Sequence, residues 1–228
     1  QKAIIALETI DNDLLKQLPE LQVVSKYGVG LDMIDIQAMR KHNVELAWTG
    51  GVNRRSVSEL VISFAISLLR HISASHREVL EGTWRQHVGG YLSGRTVGII
   101  GCGYIGKDLV KLIQVFDCQI LVNDIKNYDE FYKQYQIKSV DKEELLTKSD
   151  IVTLHVPLDD STKNMLTRER LSLMKSDAIL INAARGGLLD EGALKYMLMN
   201  DKLGGAALDV FAIEPPNDKE LINLPNFI

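Results

Sequence analysis

The stretch TVGIIGCGYIGKDLVKLIQVFDCQILVND, residues 96–124, decides the fold. An apolar run, Val97–Ile100, leads into a glycine-rich turn, and apolar residues at helical spacing follow the turn. The turn consists of Gly101, Cys102, Gly103, Tyr104, Ile105 and Gly106. A second apolar run, Ile120–Val122, ends at the acid Asp124. The pattern predicts a strand, a glycine turn, a helix and a second strand that ends in a carboxylate.

Each glycine of this turn has a physical task in binding a dinucleotide. Gly101 permits the tight turn off the strand, Gly103 lets the backbone approach a pyrophosphate, and Gly106 lets helix and strand pack closely. The phosphates would lie at the helix N-terminus, where free N–H groups and the positive dipole end favour an anion. Asp124 is placed to accept hydrogen bonds from the adenosine ribose. This context predicts NAD as the cofactor, rather than a plain structural turn.

The charge of Asp124 also bears on the choice between the two nicotinamide cofactors. A carboxylate at this position would repel a 2′-phosphate, so it favours NAD over NADP. Lys126 lies two residues further on and weakens that preference.

Composition excludes several other classes of function. The 228 residues are 46% hydrophobic and 25% charged, as in ordinary globular proteins, and suffice for one large domain or two. A formal charge of −4 offers nucleic acid no basic surface, and no apolar run is long enough to span a membrane. The two cysteines have no metal-ligand spacing, so no metal site is predicted, and a cytoplasmic location is favoured.

Strand and helix patterns alternate along the chain, which predicts an α/β fold with a doubly wound parallel sheet. A long apolar helix is predicted from Ser56 to about Ile72, with Ser56 and Glu59 as a capping box. Its apolar residues cover more than one face, which indicates burial inside the domain or against a partner subunit.

Five polar sites are expected at the carboxyl ends of strands, where open parallel sheets bind their ligands. They are the glycine turn, Asp124, His155, Arg185 and Asp209. The guanidinium of Arg185 can hold a carboxylate through two parallel hydrogen bonds; the alternative is a surface arginine in a turn. His155 closes a buried strand and is interpreted as a cofactor-lining or structural histidine. Glu214 alone is either functional or a solvated loop acid.

Six stretches of the chain match a known family in order. They are KYGVGLDMID (26–35), GGVNRRSVSEL (50–60), GRTVGIIGCGYIG (94–106), HVPLDDSTKNML (155–166), LINAARGGLLDE (180–191) and ALDVFAIEPP (207–216). The chain thereby resembles the D-isomer-specific 2-hydroxyacid dehydrogenases. The resemblance implies a Rossmann-type doubly wound parallel sheet in an NAD-binding domain, residues 53–228. It also implies a smaller, incomplete flavodoxin-like α/β substrate-binding (lid) domain, residues 1–52.

The resemblance further implies hydride transfer between nicotinamide and C2 of a D-2-hydroxy or 2-oxo acid, here a 3-phosphoglycerate-like acid. Arg185 would bind and polarise the substrate, and Glu214 would orient the catalytic histidine and raise its pKa. The implied cofactor contacts are Gly101, Gly103, Tyr104, Ile105, Gly106, Asp124, His155, Val156, Pro157, Ala183, Ala184 and Asp209, the last holding the nicotinamide carboxamide. The substrate contacts are Gly28, Val29, Gly30 and Asn53. The helix from Ser56 would form a homodimer interface.

Two departures from the family pattern are visible. The family's catalytic histidine follows a segment similar to Leu224–Ile228, and none of the five histidines here occupies that place. The natural chain is therefore expected to be longer, and these 228 residues are expected to bind NAD but turn over poorly. Gly50 stands where the family commonly has proline, which loosens the hinge loop.

Two alternatives remain open at this point. A non-catalytic, corepressor-like NAD-binding regulator on the same fold could keep the glycine turn, Arg185 and Glu214. For the substrate, Arg54 and Arg55 are either cations for a phosphate or solvated surface residues.

Overall fold

The computed structural model describes all 228 residues, which form two compact units, Gln1–Asn53 and Arg54–Ile228. The sequence predicts the boundary after residue 52, one residue earlier. The functional roles of the two units stay predictions.

The first unit is a small parallel sheet with its own core. Its elements are β1 (Lys2–Ile5), α1 (Asn12–Gln17), β2 (Val23–Lys26), α2 (Ile36–Lys41) and β3 (Glu45–Ala47). The strands are parallel in the order β1-β2-β3. Asp11 and Asp35 cap the two helices, accepting hydrogen bonds from the N–H groups of Leu14 and Ala38, both at 2.8 Å. Leu15, Val24 and Met39 are fully buried between sheet and helices.

The second unit is built on six parallel strands. They are β4 (Thr96–Ile100), β5 (Gln119–Asn123), β6 (Lys138–Ser139), β7 (Ile151–Leu154), β8 (Ile179–Asn182) and β9 (Gly205–Leu208). Their spatial order is β6-β5-β4-β7-β8-β9, so the winding direction reverses at β4. This is the strand order of a Rossmann sheet, and the predicted α/β fold is confirmed.

Helices cover both faces of this sheet. They are α3 (Arg54–Leu69), α4 (Ile72–Leu80), α5 (Tyr104–Ile113), α6 (Asp129–Gln134), α7 (Lys142–Lys148), α8 (Arg168–Leu171), α9 (Glu191–Met199) and α10 (Lys219–Ile222). Neighbouring residues of one strand pack against helices on opposite faces of the sheet, because side chains alternate in direction along a strand. Ile99 packs in the cluster that includes α3 and α5, and Ile100 packs in the cluster that includes α7 and α9. The glycine turn follows β4 and so lies where the winding reverses.

The start of α3 differs from the prediction. The helix begins at Arg54, so Ser56 and Glu59 lie inside it and the capping-box prediction is wrong. Arginine is a good helix former, and Arg55 anchors the first turn through an ion pair with Asp108 on α5, 3.0 Å long.

No single helix is long and apolar enough to cross a membrane. α3 and α4 pass that test only as a pair bent by 60°, on length and composition alone. This is weak evidence, because buried helices of globular cores pass the same test.

Candidate functional site

The carboxyl ends of five adjacent strands carry the predicted cofactor and catalytic residues. Along this edge lie Asp124 after β5, the glycine turn after β4, His155 after β7, Arg185 after β8 and Asp209 after β9. Neighbouring strands are about 4.8 Å apart, so the row is roughly 19 Å long. Such a row offers an extended dinucleotide one continuous edge.

The three glycines of the turn have different surroundings. Gly101 has φ +99°, and a Cβ there would lie 2.5 Å from the carbonyl oxygen of His155. A Cβ on Gly106 would collide with the carbonyl oxygen of Gly101, so α5 packs directly on the turn. Around Gly103, by contrast, no atom lies within 4 Å of the Cβ position. Gly101 and Gly106 therefore pack tightly against neighbouring backbone, whereas the space beside Gly103 is open, as the approach of a diphosphate requires.

Asp124 ties the strand β5 to the glycine turn. One carboxylate oxygen accepts a hydrogen bond from the backbone N–H of Cys102 at 2.5 Å. The other accepts from the N–H of Lys126 at 2.7 Å. The thiol of Cys102 is buried, and burial raises its pKa to about 11, so it stays protonated at neutral pH. It packs in the core as an inert side chain.

A cleft of about 460 Å³ lies in front of the turn. Of the predicted cofactor contacts, it is lined by Gly101, Gly103, Asp124, His155, Val156 and Pro157. Tyr104, Ile105 and Gly106 form the first turn of α5 and do not line the cleft, and Ala183, Ala184 and Asp209 lie on the loops after β8 and β9. Residues of this chain therefore fit a dinucleotide: an open backbone at a helix start, with a carboxylate one strand away.

His155 is held as a neutral ring in this cleft. Its Nε2 lies 3.0 Å from the hydroxyl of Thr153, and its Nδ1 is buried without a hydrogen-bond partner. Burial lowers the pKa of His155 to about 3, because the charged imidazolium is disfavoured away from water. A ring that stays neutral at physiological pH suits a lining residue better than a proton carrier.

The loop after β8 is held by a buried asparagine. Asn182 is 1% exposed; its side chain accepts from the N–H of Ala184 at 3.1 Å and donates to the carbonyl of Arg185 at 2.8 Å. The Arg185 guanidinium donates to the carbonyl of Ala184 at 2.7 Å. These bonds fix the loop of small residues that presents Arg185.

The loop after β9 lies directly against this one. A Cβ on Gly186 would collide with the carbonyl oxygen of Phe211, so the two backbones touch. Glu191, the first residue of α9, accepts from the N–H of Ala212 at 2.7 Å, and Glu214 accepts from the N–H of Phe211 at 3.0 Å. Burial and the nearby charge of Glu214 raise the pKa of Asp209. Arg185, Asp209 and Glu214 thus stand on two adjoining loops.

The predicted substrate residues belong to the first unit. Its cavity of about 780 Å³ is lined by Gly28 but not by Val29, Gly30 or Asn53. The carbonyl of Val29 accepts a hydrogen bond from the indole N–H of Trp48 at 3.2 Å. Lys26 lines the same cavity, and its ammonium donates to the carbonyl of Ala6.

The family model for the D-isomer specific 2-hydroxyacid dehydrogenase NAD binding domain matches residues 62–228. The chain belongs to this family. Within it, the chain is 37% identical to the D-3-phosphoglycerate dehydrogenase of Bacillus subtilis, over 95% of this chain and 42% of that protein. It is 34% identical to the hydroxypyruvate reductase of Thermotoga maritima, over 95% of this chain and 71% of that protein.

Solved structures of the family have the same fold. A crystal structure of D-lactate dehydrogenase from Aquifex aeolicus, complexed with NAD and lactic acid, has a TM-score of 0.88 at 26% identity. The match covers 100% of this chain and 74% of that chain. The predictions of the D-2-hydroxyacid dehydrogenase family and of NAD as its cofactor are confirmed. Individual cofactor contacts stay predictions.

Sequence reasoning on this family member missed several residues of the site. Asn182 and Glu191 hold the two loops, and the one signal for Asn182 is a polar residue at the end of an apolar strand. Lys142 lines the dinucleotide cleft from α7 but gives no signal, because it follows the helix cap Asp141 like any surface residue.

Proposed function

We propose that the chain belongs to an NAD-dependent oxidoreductase that transfers a hydride between nicotinamide and C2 of a D-2-hydroxy or 2-oxo acid. The observation that carries this proposal is the single row formed by Asp124, the open glycine turn and Arg185 at one sheet edge. Bound NAD supplies the hydride acceptor. The names of the relatives reported above are those of enzymes, so they lend the corepressor-like alternative no support.

The proposed roles follow from charge and position. Arg185 anchors the acid and its C2 oxygen, because a guanidinium stays charged and binds oxygen pairs through two parallel bonds. The Gly28–Gly30 backbone and Asn53 receive the substrate carboxylate. Asp209 holds the nicotinamide carboxamide, and Glu214 supports the histidine that the family places after a segment like Leu224–Ile228. Orientation by these groups supplies the proximity part of the rate enhancement.

A 3-phosphoglycerate-like acid is the proposed substrate. Two relatives are D-3-phosphoglycerate dehydrogenases, although the chain spans only 42% of the length of each. Lys26 beside Gly28 adds a cation to the cavity of the first unit, which favours a substrate with a second negative group. Arg55 does not support a phosphate, because it pairs with Asp108.

Calorimetry tests the proposal in two steps. NAD should bind the 228-residue chain, and 3-phosphoglycerate and D-glycerate should then bind the NAD-saturated chain. Arg185→Met should weaken acid binding by at least about tenfold, the loss of a charge-assisted pair, and leave NAD binding unchanged. Arg40→Met, an exposed arginine of α2, is the control. Failure of NAD to bind would refute the proposal, and NAD binding without any binding of acids would favour the regulator.

We also propose that the protein is a homodimer. Exposed large apolar side chains are concentrated on α4 and the segment after it: Ile72, Val79, Leu80, Trp84, Val88 and Tyr91. The predicted interface on α3 would extend over this surface, since large exposed apolar patches mark interaction sites. Sedimentation equilibrium should show a dimer for the native chain and a monomer for Trp84→Ser/Val88→Ser. A cytoplasmic location stays a prediction.

A further inference from the structure

The dinucleotide cleft contains two lysines that the proposed chemistry does not use. Lys126 follows β5, and Lys142 is the first residue of α7. Both line the cleft together with Asp124. Neither ammonium forms an ion pair or a hydrogen bond with another residue of the chain. Two cations without an ion-pair partner therefore face the proposed site of an anionic dinucleotide.

The acids of the same cleft are in the opposite situation. Both oxygens of Asp124 accept backbone N–H groups, from Cys102 and Lys126. Asp159 accepts from the N–H groups of Ser161 and Thr162, at 2.8 and 3.2 Å. Backbone donors offset part of the negative charge of each acid, whereas the acid that acts on Lys142, Glu143, forms its ion pair with Arg170 instead, at 3.5 Å. The balance of unpaired groups in the cleft is positive.

The burial of Lys142 makes this imbalance costly in the absence of a ligand. The side chain is half-buried, and its pKa is lowered first by burial and then by the nearby charge of Arg170. A partly desolvated ammonium gains more from an anion than one in open water does.

Position decides which anion fits. Phosphates bound at the start of α5 would lie in front of β4, at Gly103. Lys142 follows β6, which lies beyond β5 on the far side of Asp124 from the glycine turn. The ribose of the adenosine is expected at Asp124, so a group attached to its 2′ position lies on the side of Lys142.

We propose that Lys126 and Lys142 form an anion subsite beside Asp124 that accepts the 2′-phosphate of NADP, so that the chain binds both dinucleotides. The inference rests on the proposed dinucleotide site. The sequence motif alone does not suggest this subsite, because Lys142 is remote in sequence from the glycine turn and Asp124.

Calorimetric titration of the 228-residue chain with four ligands tests the subsite. The ligands are NAD, NADP, AMP and adenosine 2′,5′-bisphosphate. NADP should bind with a Kd within about tenfold of that of NAD. Lys142→Met keeps the aliphatic stem and removes the charge. It should raise the Kd of both 2′-phosphorylated ligands by about tenfold, as for one lost charge-assisted hydrogen bond, and change the Kd of NAD and AMP less than about twofold.

Two further variants make the test specific. Lys142→Arg should restore most of the affinity for the 2′-phosphate. Lys148→Met, on the same helix but paired with Glu144, should change none of the four affinities. Equal weakening of NAD and NADP by Lys142→Met would mean that the side chain packs on the adenine and would overturn the inference. NAD binding without measurable NADP binding would overturn it as well. Failure to bind either dinucleotide would instead refute the proposed function.

Discussion

The two ends of the site are built by opposite means. At the glycine turn, the absence of side chains is the important feature. Gly103 leaves the backbone open to a ligand, and Gly106 lets α5 pack closely against the end of β4. At the loops after β8 and β9, side chains tie the backbone, chiefly those of Asn182 and Glu191. The first end should therefore respond to any added atom, and the second to the loss of particular hydrogen bonds.

The contact between the two loops is an exception to this contrast, and it gives the largest expected effect. Gly186→Ala would drive a methyl group into the carbonyl oxygen of Phe211, and backbone cannot move aside cheaply. We expect the free energy of unfolding to fall by about 3 kcal/mol, measured by denaturant titration. Gly192→Ala in α9 is the control; its Cβ would meet only the Asp190 carboxylate, at 3.4 Å, so stability should hold or rise. Equal stabilities for the two variants would contradict the close contact.

The neutral histidine of the cofactor end gives the next largest effect, and it depends on pH. The pKa of His155 is about 3 in the folded chain, below the ordinary value of 6.5. The unfolded chain therefore binds more protons between these values, and stability is lost as pH falls through this window. From pH 6.5 to 5 the loss should be about 1.6 kcal/mol, because the slope is half of about 1.4 kcal/mol per pH unit at pH 6.5 and approaches the full value at lower pH. His155→Asn should remove this part of the pH dependence; an unchanged slope would show that the ring is not desolvated.

A substitution at Gly103 should weaken cofactor binding while it changes the stability of the fold little. No atom lies near its Cβ position, and its φ of −76° is outside the left-handed range, although its ψ of −146° lies beyond the broad β region. Gly103→Ala should therefore lower the free energy of unfolding by only about 1 kcal/mol, the cost of the unusual ψ without any steric collision. It should nevertheless raise the Kd of NAD by about tenfold, because the methyl group occupies the path of the diphosphate. Gly106→Ala, in contrast, should lose stability as well as binding. An unaltered Kd in Gly103→Ala would place the diphosphate elsewhere.

The smallest effect is expected from the tie at Glu191. Glu191→Ala removes the acceptor of the Ala212 N–H, a loss of about 1 kcal/mol for one hydrogen bond near the surface. Hydrogen exchange of segment 209–216 should become faster, with the rest of the second unit unchanged. Glu191→Gln keeps an acceptor and should exchange at nearly the native rate. Unchanged exchange in Glu191→Ala would show that the loop is held by other contacts.

The same contrast explains what the sequence could predict. The glycine turn can be predicted from the sequence, because only glycine readily adopts φ +99° at Gly101 and only glycine avoids a Cβ collision at Gly106. The residue type therefore indicates the local geometry. The buried parallel strands are equally predictable, since β7 and β8 are buried at every position and each has a single polar residue, Thr153 and Asn182.

What the sequence could not predict depends on contacts between distant segments. α3 begins at Arg54, two residues before the expected Ser56, and the ion pair of Arg55 with Asp108 joins its first turn to a helix that is distant in sequence. Lys142 reaches the cleft only because α7 begins at the carboxyl edge of the sheet. α10, Lys219–Ile222, is too short for its apolar spacing to be recognised.

The bond between the Asp124 carboxylate and the Cys102 amide has a consequence for the rate at which a dinucleotide is captured. The acid and the turn are already locked to each other by folding, so an arriving ligand has no loop to order at this point. The entropic penalty of association is correspondingly small, and encounter rather than rearrangement should limit the on-rate at the adenosine end.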